Sequence, residues 1–156
     1  MRALSLEAHE VDGRYPVQEV STGLPFIIVP LKTSGTLKQA KVNRDLYFAL
    51  IKNTKAKAIL IFCPESYEQG NDLSVRVFAD YYGVPEDPAT GSANGCLAGY
   101  LVKYRYFSGE QINIRVEQGY DIGRLSLLFL RAADKADGID VNVGGKVVMV
   151  AKGELT

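Results

Sequence analysis

Two acids stand directly before a run of small residues, in the segment Glu86-Asp87-Pro88-Ala89-Thr90-Gly91-Ser92. We expect a helix to begin near this run, and a helix amino terminus offers free backbone N–H groups and a partial positive charge. Both features favour an anion, and small side chains let a ligand reach the backbone. The segment therefore predicts a site for a substrate carboxylate, with Asp87 near the substituents of its α-carbon.

The Asp87-Pro88 pair also has a purely structural interpretation. An Asp-Pro pair often starts a helix, with the aspartate as N-cap and the proline at the first helical position. Asp87 and Pro88 fit that pattern without any ligand. The two interpretations can coexist, and the residues alone leave both open.

The helix predicted after this segment carries no charge from Pro88 until Lys103. A helix that is apolar or small on every side has no face for solvent, so it should run through the middle of a core. Gly91, Gly95 and Gly99 recur at every fourth residue and share one face. Each glycine costs about 1 kcal/mol of helix propensity relative to alanine. Three of them predict that a surrounding sheet approaches this face closely.

The rest of the chain predicts mainly strands. Apolar or alternating runs indicate strands at Phe26 to Leu31, Ala58 to Cys63, Leu73 to Ala79, Ile112 to Glu117 and Gly123 to Leu130, and a closing hairpin of 138–143 and 146–151 around Gly144. Asn43 should cap a helix over about 44–52, whose buried residues would be Leu46, Phe48, Leu50 and Ile51.

The predicted fold class is α+β, because the closing strands are too close together for helical crossovers. We expect a strand barrel, or a strongly curved and mostly antiparallel sheet, wrapped around the central apolar helix. No linker or internal repeat divides the sequence, so residues 1–156 are predicted to form a single domain.

Composition argues against several function classes. Eighteen basic residues balance eighteen acidic ones, which gives nucleic acid or an anionic membrane no electrostatic support as a partner. Two cysteines and one histidine provide neither a disulfide framework nor a clustered set of metal ligands. No apolar run approaches the roughly 20 residues of a membrane helix, so a cytoplasmic location is expected.

The segment Glu86 to Ala93 closely resembles the signature of the phenazine-biosynthesis (PhzF-like) family. The segments Val20 to Phe26 and Arg76 to Ala79 resemble the carboxy-terminal half of that family in the same order and spacing. The resemblance implies one half of a diaminopimelate-epimerase-like fold, with the active site between two halves. It also implies an isomerase that moves a proton near a carboxylate and needs no metal and no organic cofactor.

The resemblance also implies roles for the acidic segment. Asp87 would be catalytic, orienting the substrate and assisting proton relay. The backbone N–H groups of Gly91 and Ser92 would hold the carboxylate of a small acid, and Glu86 and Thr90 would complete the substrate-binding set.

Two departures qualify this resemblance. The epimerases of this fold use two cysteines, and the cysteine of this half would fall at Thr90, whereas Cys96 lies nearly two turns further into the helix. Their Gly-Asn-Pro turn appears here as Gly23-Leu24-Pro25. A two-cysteine racemase is therefore not expected, and Cys96 is predicted to be a core residue.

The family's general base is a glutamate of the amino-terminal half, followed by a Gly-His pair, and this sequence contains neither. We therefore expect the chain to be inactive alone and to need a second half that supplies the base, because a general base must lie within hydrogen-bond reach. That half is either a separate amino-terminal-half polypeptide or the rest of a longer product of which this chain is a fragment. The alternative hypothesis is a non-catalytic carboxylate-binding or scaffold domain that acts as a homodimer.

Overall fold

A computed structural model describes residues 1–154. Eight strands form one sheet in this part of the chain: β1 (Gln18–Ser21), β2 (Pro25–Pro30), β3 (Ala58–Cys63), β4 (Leu73–Ala79), β5 (Val84–Asp87), β6 (Gln111–Gln118), β7 (Ser126–Lys135) and β8 (Gly138–Gly145). The α-helices are α1 (Ser34–Gln39), α2 (Arg44–Ile51) and α3 (Gly91–Lys103). None of the helices in the described residues is long and apolar enough to cross a membrane.

The sheet runs in the order β1-β2-β3-β4-β6-β7-β8, and β5 pairs with β4 outside this path. The β2–β3 and β4–β6 pairs are parallel, and the other neighbours are antiparallel. The sheet curves around α3, which packs against strands from both ends of the sheet and against β6 and β7. This arrangement confirms the predicted α+β fold of a strongly curved sheet around a central apolar helix.

Two apolar layers lie on opposite faces of the sheet. The inner layer surrounds α3 and includes Leu97 and Leu101. The outer layer lies under α1, α2 and the amino-terminal segment and includes Leu37 and Tyr47. Because β3 is covered on both faces, all six of its residues are buried, and its sequence is continuously apolar rather than alternating.

The glycine face of α3 meets the sheet at two of its three positions. A Cβ on Gly95 would lie 3.4 Å from Oγ1 of Thr22 and 3.7 Å from a methyl group of Val143. A Cβ on Gly99 would lie 3.8 Å from Val141. Gly91 has nothing within 4 Å of that point. The predicted close approach is therefore confirmed at Gly95 and Gly99, whereas the first turn of the helix is left open.

Helix α2 begins as predicted but buries a different face. The Asn43 side chain accepts a hydrogen bond from the backbone N–H of Leu46 at 3.2 Å, which confirms the cap. The predicted set of buried residues is correct at Ile51 and wrong at its other three members: Leu46, Phe48 and Leu50 are 40%, 37% and 41% exposed. The buried residues are Tyr47 and Ile51, which lie four positions apart and therefore share one face of the helix.

The predicted closing hairpin around Gly144 is wrong. Strand β8 runs through Gly144 and Gly145 in unbroken register with β7, and the hairpin turn lies between Lys135 and Gly138 instead. The pairing of β7 with β8 ends at Leu128 and Gly145, so the described residues after Gly145 are not paired with β7. The apolar segment Val147 to Val150 lies outside the sheet and is 83–93% exposed.

Candidate functional site

The candidate site lies where the sheet forks. The first part of β4 pairs with β6, and Val75 lies opposite Gln118. The last part of β4 pairs with β5, and Val77 lies opposite Asp87. Arg76 lies on β4 between these two ladders. The end of β5 at Asp87 and the end of β6 at Gln118 therefore separate on either side of this residue. Helix α3 begins in the space that this divergence leaves.

The amino terminus of α3 is exposed. The helix begins at Gly91 with Thr90 as its N-cap, and the Thr90 side chain makes no capping hydrogen bond. Gly91 and Ser92 are exposed, and no group in residues 1–154 accepts a hydrogen bond from their backbone N–H groups. The first turn therefore has free N–H donors of the kind that favour an anion, and anion binding there stays a prediction.

The structural interpretation of the Asp-Pro pair is wrong. Asp87 is the last residue of β5, and Pro88 lies outside the helix. The Thr90 hydroxyl donates a hydrogen bond to Oδ2 of Asp87, so these two side chains form a pair at the mouth of the helix. Both residues are half-buried. The carboxylate of Asp87 is therefore free of any capping role and lies beside the open first turn.

Gln118 holds this pair in place, and the sequence analysis missed it. Its Nε2 donates to the carbonyl oxygen of Asp87 at 2.6 Å and to Oγ1 of Thr90 at 3.0 Å. Its Oε1 accepts from the backbone N–H of Thr90 at 3.2 Å and from Nδ2 of Asn94 at 2.8 Å. A signal was present in the sequence. Gln118 continues the inward-facing positions of Ile112, Ile114 and Val116, where a polar residue is out of place.

The backbone brings Gln118 close to the acidic segment through Gly119. Gly119 has a φ of +80°, and a Cβ there would lie 2.3 Å from the carbonyl oxygen of Arg124 and 2.9 Å from that of Pro88. Only glycine allows both the left-handed conformation and this approach. The end of β6 therefore packs directly on the turn that joins β5 to α3.

Glu86 does not join this group. As the neighbour of Asp87 on a strand it points to the opposite face, where Arg76 donates to both of its carboxylate oxygens, at 3.0 and 2.7 Å. The Arg76 guanidinium also donates to the carbonyl oxygens of Leu37 and Ala40 at 2.9 Å, at the end of α1. The structure thus brings together Asp87, Thr90, Gly91 and Ser92, and it places Glu86 in a buried ion pair. Its role as a substrate ligand stays a prediction.

An open groove borders the first turn of α3. It has a volume of about 540 Å³, and its lining includes Ala89, Gly91, Leu125 and Lys146. Leu125 is 63% exposed, and Lys146 contributes a positive charge at the edge. An acidic ligand at the helix start would therefore lie between exposed backbone N–H groups and a surface that is partly apolar.

Neither cysteine belongs to this site. Cys96 is fully buried inside the curved sheet, where its Sγ lies 3.7 Å from Oγ1 of Thr22, and burial raises the pKa of its thiol. The prediction that Cys96 is a core residue is confirmed. No group of three or more histidine, cysteine or acidic side chains in residues 1–154 is arranged to hold a metal ion.

Comparison with known proteins gives consistent matches over nearly the whole chain. The model of the PhzC-PhzF family, described as phenazine biosynthesis-like protein, matches residues 1–153. An uncharacterized isomerase of Clostridium acetobutylicum is 32% identical over 158 residues, covering 99% of this chain and 52% of its own. A trans-2,3-dihydro-3-hydroxyanthranilate isomerase of Pseudomonas fluorescens is 40% identical over 145 residues, covering 92% and 49%.

A solved structure agrees with these matches. The phenazine biosynthesis protein of Bacillus anthracis, of the PhzF family, superposes with a TM-score of 0.82 at 25% identity, over 92% of this chain and 50% of that chain. The chain thus spans about half the length of the curated relatives that it matches.

Proposed function

Since the chain belongs to the phenazine biosynthesis-like (PhzC-PhzF) family, we propose that it forms the carboxy-terminal half of an isomerase. The reaction moves a proton on a carbon near the carboxylate of a small acid, without a metal or organic cofactor. One observation carries the proposal: the unpaired, exposed N–H groups of Gly91 and Ser92 lie beside the hydrogen-bonded side chains of Asp87 and Thr90.

The first turn of α3 suits a carboxylate on electrostatic grounds. Unpaired N–H groups at a helix start are preorganised donors, so they bind an anion without reorganisation. A carboxylate on Gly91 and Ser92 would place its neighbouring carbon toward the Asp87 side of the site. Asp87 then holds or relays the proton, and Thr90 supplies a hydroxyl next to it. These four assignments are the substance of the proposal.

The proposed substrate class is supported by the site and by the name of one relative. The Pseudomonas relative is named for a hydroxyanthranilate compound, which carries a carboxylate. The groove beside Gly91 adds apolar surface from Leu125. We therefore assign to this chain a small acid with a flat or apolar body, for which anthranilate is a convenient probe.

The general base comes from a second half in this proposal, either a separate polypeptide or the rest of a longer product. Of the two adjacent acids, Glu86 is bound by Arg76 on the far face, so Asp87 alone reaches the mouth of α3. A reaction that removes a proton from one position and returns it at another is served by two acid–base groups. We place the second group on the half that corresponds to the rest of the relatives' length.

A second candidate is a homodimer that binds a carboxylate without chemistry. The exposure of Leu125 beside the groove favours some protein surface over this face, and a second copy would form a two-fold contact. This candidate predicts a concentration-dependent dimer and no proton exchange. The isomerase half predicts a monomer that associates with the amino-terminal-half polypeptide.

The carboxylate site is tested by titrating the labelled chain with anthranilate and following backbone amide resonances. We expect the largest shifts at Gly91 and Ser92. Asp87→Asn should leave this binding in place, because the ligand's carboxylate is held by backbone groups, whereas Ser92→Pro should abolish it. Asp137→Asn, in the hairpin turn between β7 and β8, is the matched control. Shifts spread elsewhere, with none at Gly91 and Ser92, would refute the site.

The catalytic role is tested with the amino-terminal-half polypeptide added, by following deuterium exchange at the substrate carbon next to the carboxylate. We expect Asp87→Asn to slow exchange by at least about 100-fold, the usual contribution of a positioned acid or base. The Asp137→Asn control should exchange at the wild-type rate. Equal rates in wild type and Asp87→Asn would sink the role of Asp87 while leaving carboxylate binding intact.

A further inference from the structure

The Gln118 side chain uses every hydrogen-bonding position it has. A glutamine amide offers two N–H donors and two acceptor lone pairs. Both donors are used, on the carbonyl oxygen of Asp87 and on Oγ1 of Thr90. Both lone pairs are used, by the backbone N–H of Thr90 and by Nδ2 of Asn94. The residue is 1% exposed, so water does not compete for these bonds.

This pattern fixes the orientation of the amide. If the amide were reversed, its NH2 group would face the N–H of Thr90 and the NH2 of Asn94, and its oxygen would face the Asp87 carbonyl oxygen. Each buried group left unpaired in this way costs about 1–3 kcal/mol. Nε2 of Gln118 therefore always faces the hydroxyl of Thr90.

The fixed amide restricts the Thr90 hydroxyl in turn. A hydroxyl has one proton and two lone pairs, and here one lone pair accepts from Nε2 of Gln118. The proton cannot point toward Gln118, which presents only a donor. It points toward Oδ2 of Asp87 while that carboxylate is ionised. The Thr90 side chain makes no capping hydrogen bond to the helix backbone, so its hydroxyl is not occupied by capping.

We propose that Gln118 is a positioning residue that limits the Thr90 hydroxyl to two donor directions, toward Asp87 or toward the bound acid; this inference rests on the function proposed above. We call the change from the first direction to the second the relay. When Asp87 accepts a proton, an O–H bond forms on its carboxyl group and donates to the second lone pair of Thr90. The Thr90 proton must then rotate away from Asp87, and Nε2 of Gln118 blocks the inner side. The hydroxyl therefore donates outward, to an acid held on Gly91 and Ser92. Thr90 keeps its own proton throughout, and the proton that Asp87 gains comes from the substrate or from solvent.

The first test needs no ligand and uses the full chain. In a pH series followed by NMR, the Gln118 side-chain proton that donates to Thr90 should shift, because protonation of the Asp87 carboxylate reverses the hydrogen bond between Asp87 and Thr90. Asp87→Asn and Thr90→Val should each abolish this response, and Gln111→Met, on the exposed start of the same strand, should not change it. A Gln118 resonance that ignores pH, or a response that persists in Thr90→Val, overturns the relay.

The second test measures anthranilate affinity between neutral and mildly acidic pH. Wild type should gain about tenfold more affinity on acidification than Thr90→Val, because a hydrogen bond to a charged acceptor is added. Thr90→Ser should restore the gain, and Gln118→Met should lack it while Gln111→Met keeps it. A Thr90→Val protein with the full gain overturns the relay. Failure of wild type to bind at any pH overturns the carboxylate site instead, and the first test still judges the relay.

Discussion

The guanidinium of Arg76 holds the carboxylate of Glu86 through two parallel hydrogen bonds, from Nε at 3.0 Å and from Nη2 at 2.7 Å. Both side chains are about nine-tenths buried. Because Glu86 and Asp87 are neighbours on β5, this pair on one face of the sheet fixes the residue presented on the other face. The same guanidinium secures the end of α1, so it joins three segments.

Glu86→Gln should therefore destabilise the fold by about 3 kcal/mol, because it leaves the buried Arg76 charge without its main partner. Asp134→Asn is the matched control, since it removes a carboxylate from an ion pair with Arg105 whose side chains are about 40% exposed, and it should cost less than about 1 kcal/mol. Urea unfolding of both variants measures the difference. Equal losses would show that the buried pair contributes no more than the exposed one.

Gly119→Ala should be far more damaging than Gly123→Ala, although both glycines have positive φ values, of +80° and +68°. An alanine at 119 meets two backbone oxygens below normal contact distance, whereas nothing lies within 4 Å at 123. We expect about 1–2 kcal/mol from conformational strain alone at 123, and a substantially larger loss at 119. Thermal unfolding checks the ranking, and similar losses would contradict the close packing of Gly119 on Pro88.

Stability should fall in alkaline solution through Cys63. Burial raises the pKa of its thiol from 9.0 to about 11. The unfolded chain releases this proton above about pH 9, and the folded chain keeps it until about pH 11. Unfolding thus becomes more favourable across that window, by roughly 2–3 kcal/mol at most.

Cys63→Ala isolates the contribution of this thiol from that of the buried tyrosines. The variant starts from lower stability because its side chain leaves a cavity, but its unfolding free energy should fall less steeply between pH 9 and 11. Urea titrations at several pH values give both slopes. Parallel curves for wild type and variant would contradict a buried, protonated Cys63.

Ending the chain at Lys146 should leave the stability of the fold within about 0.5 kcal/mol of the full chain, because Val147 to Val150 pack on nothing in the described residues. The shortened chain should also aggregate less, since four adjacent exposed apolar side chains are removed. Unfolding curves and light scattering measure the two effects. A loss of several kcal/mol would mean that this segment packs against the fold.

The central helix was the most predictable part of the molecule. Its lack of charge and its glycine spacing are properties of a single short segment, and they sufficed to place α3 inside a curved sheet. The open first turn followed from the same segment. The cap of α2 was equally local, because Asn43 acts on a residue only three positions away.

The elements that were missed depend on distant partners. Strand β5 exists because Val77 pairs with Asp87, and nothing within its four residues indicates a strand. The role of Gln118 depends on contacts with residues 24 to 31 positions away. The turn predicted at Gly144 failed for the same reason, since β7 holds that glycine in an extended register.

Because β4 pairs with both β5 and β6, its two pairings are expected to form at different stages of folding. Strand β5 follows β4 after a short turn at Asp80–Tyr82, whereas Gln118 comes 43 residues after Val75, its partner on β4. Short loops close at lower entropic cost than long ones, so β5 can dock on β4 early, before β6 arrives. We therefore expect Asp87 to reach its position through a local strand pairing. The Gln118 side-chain amide, which holds Asp87 and Thr90, forms its contacts later, with the long-range pairing of β6.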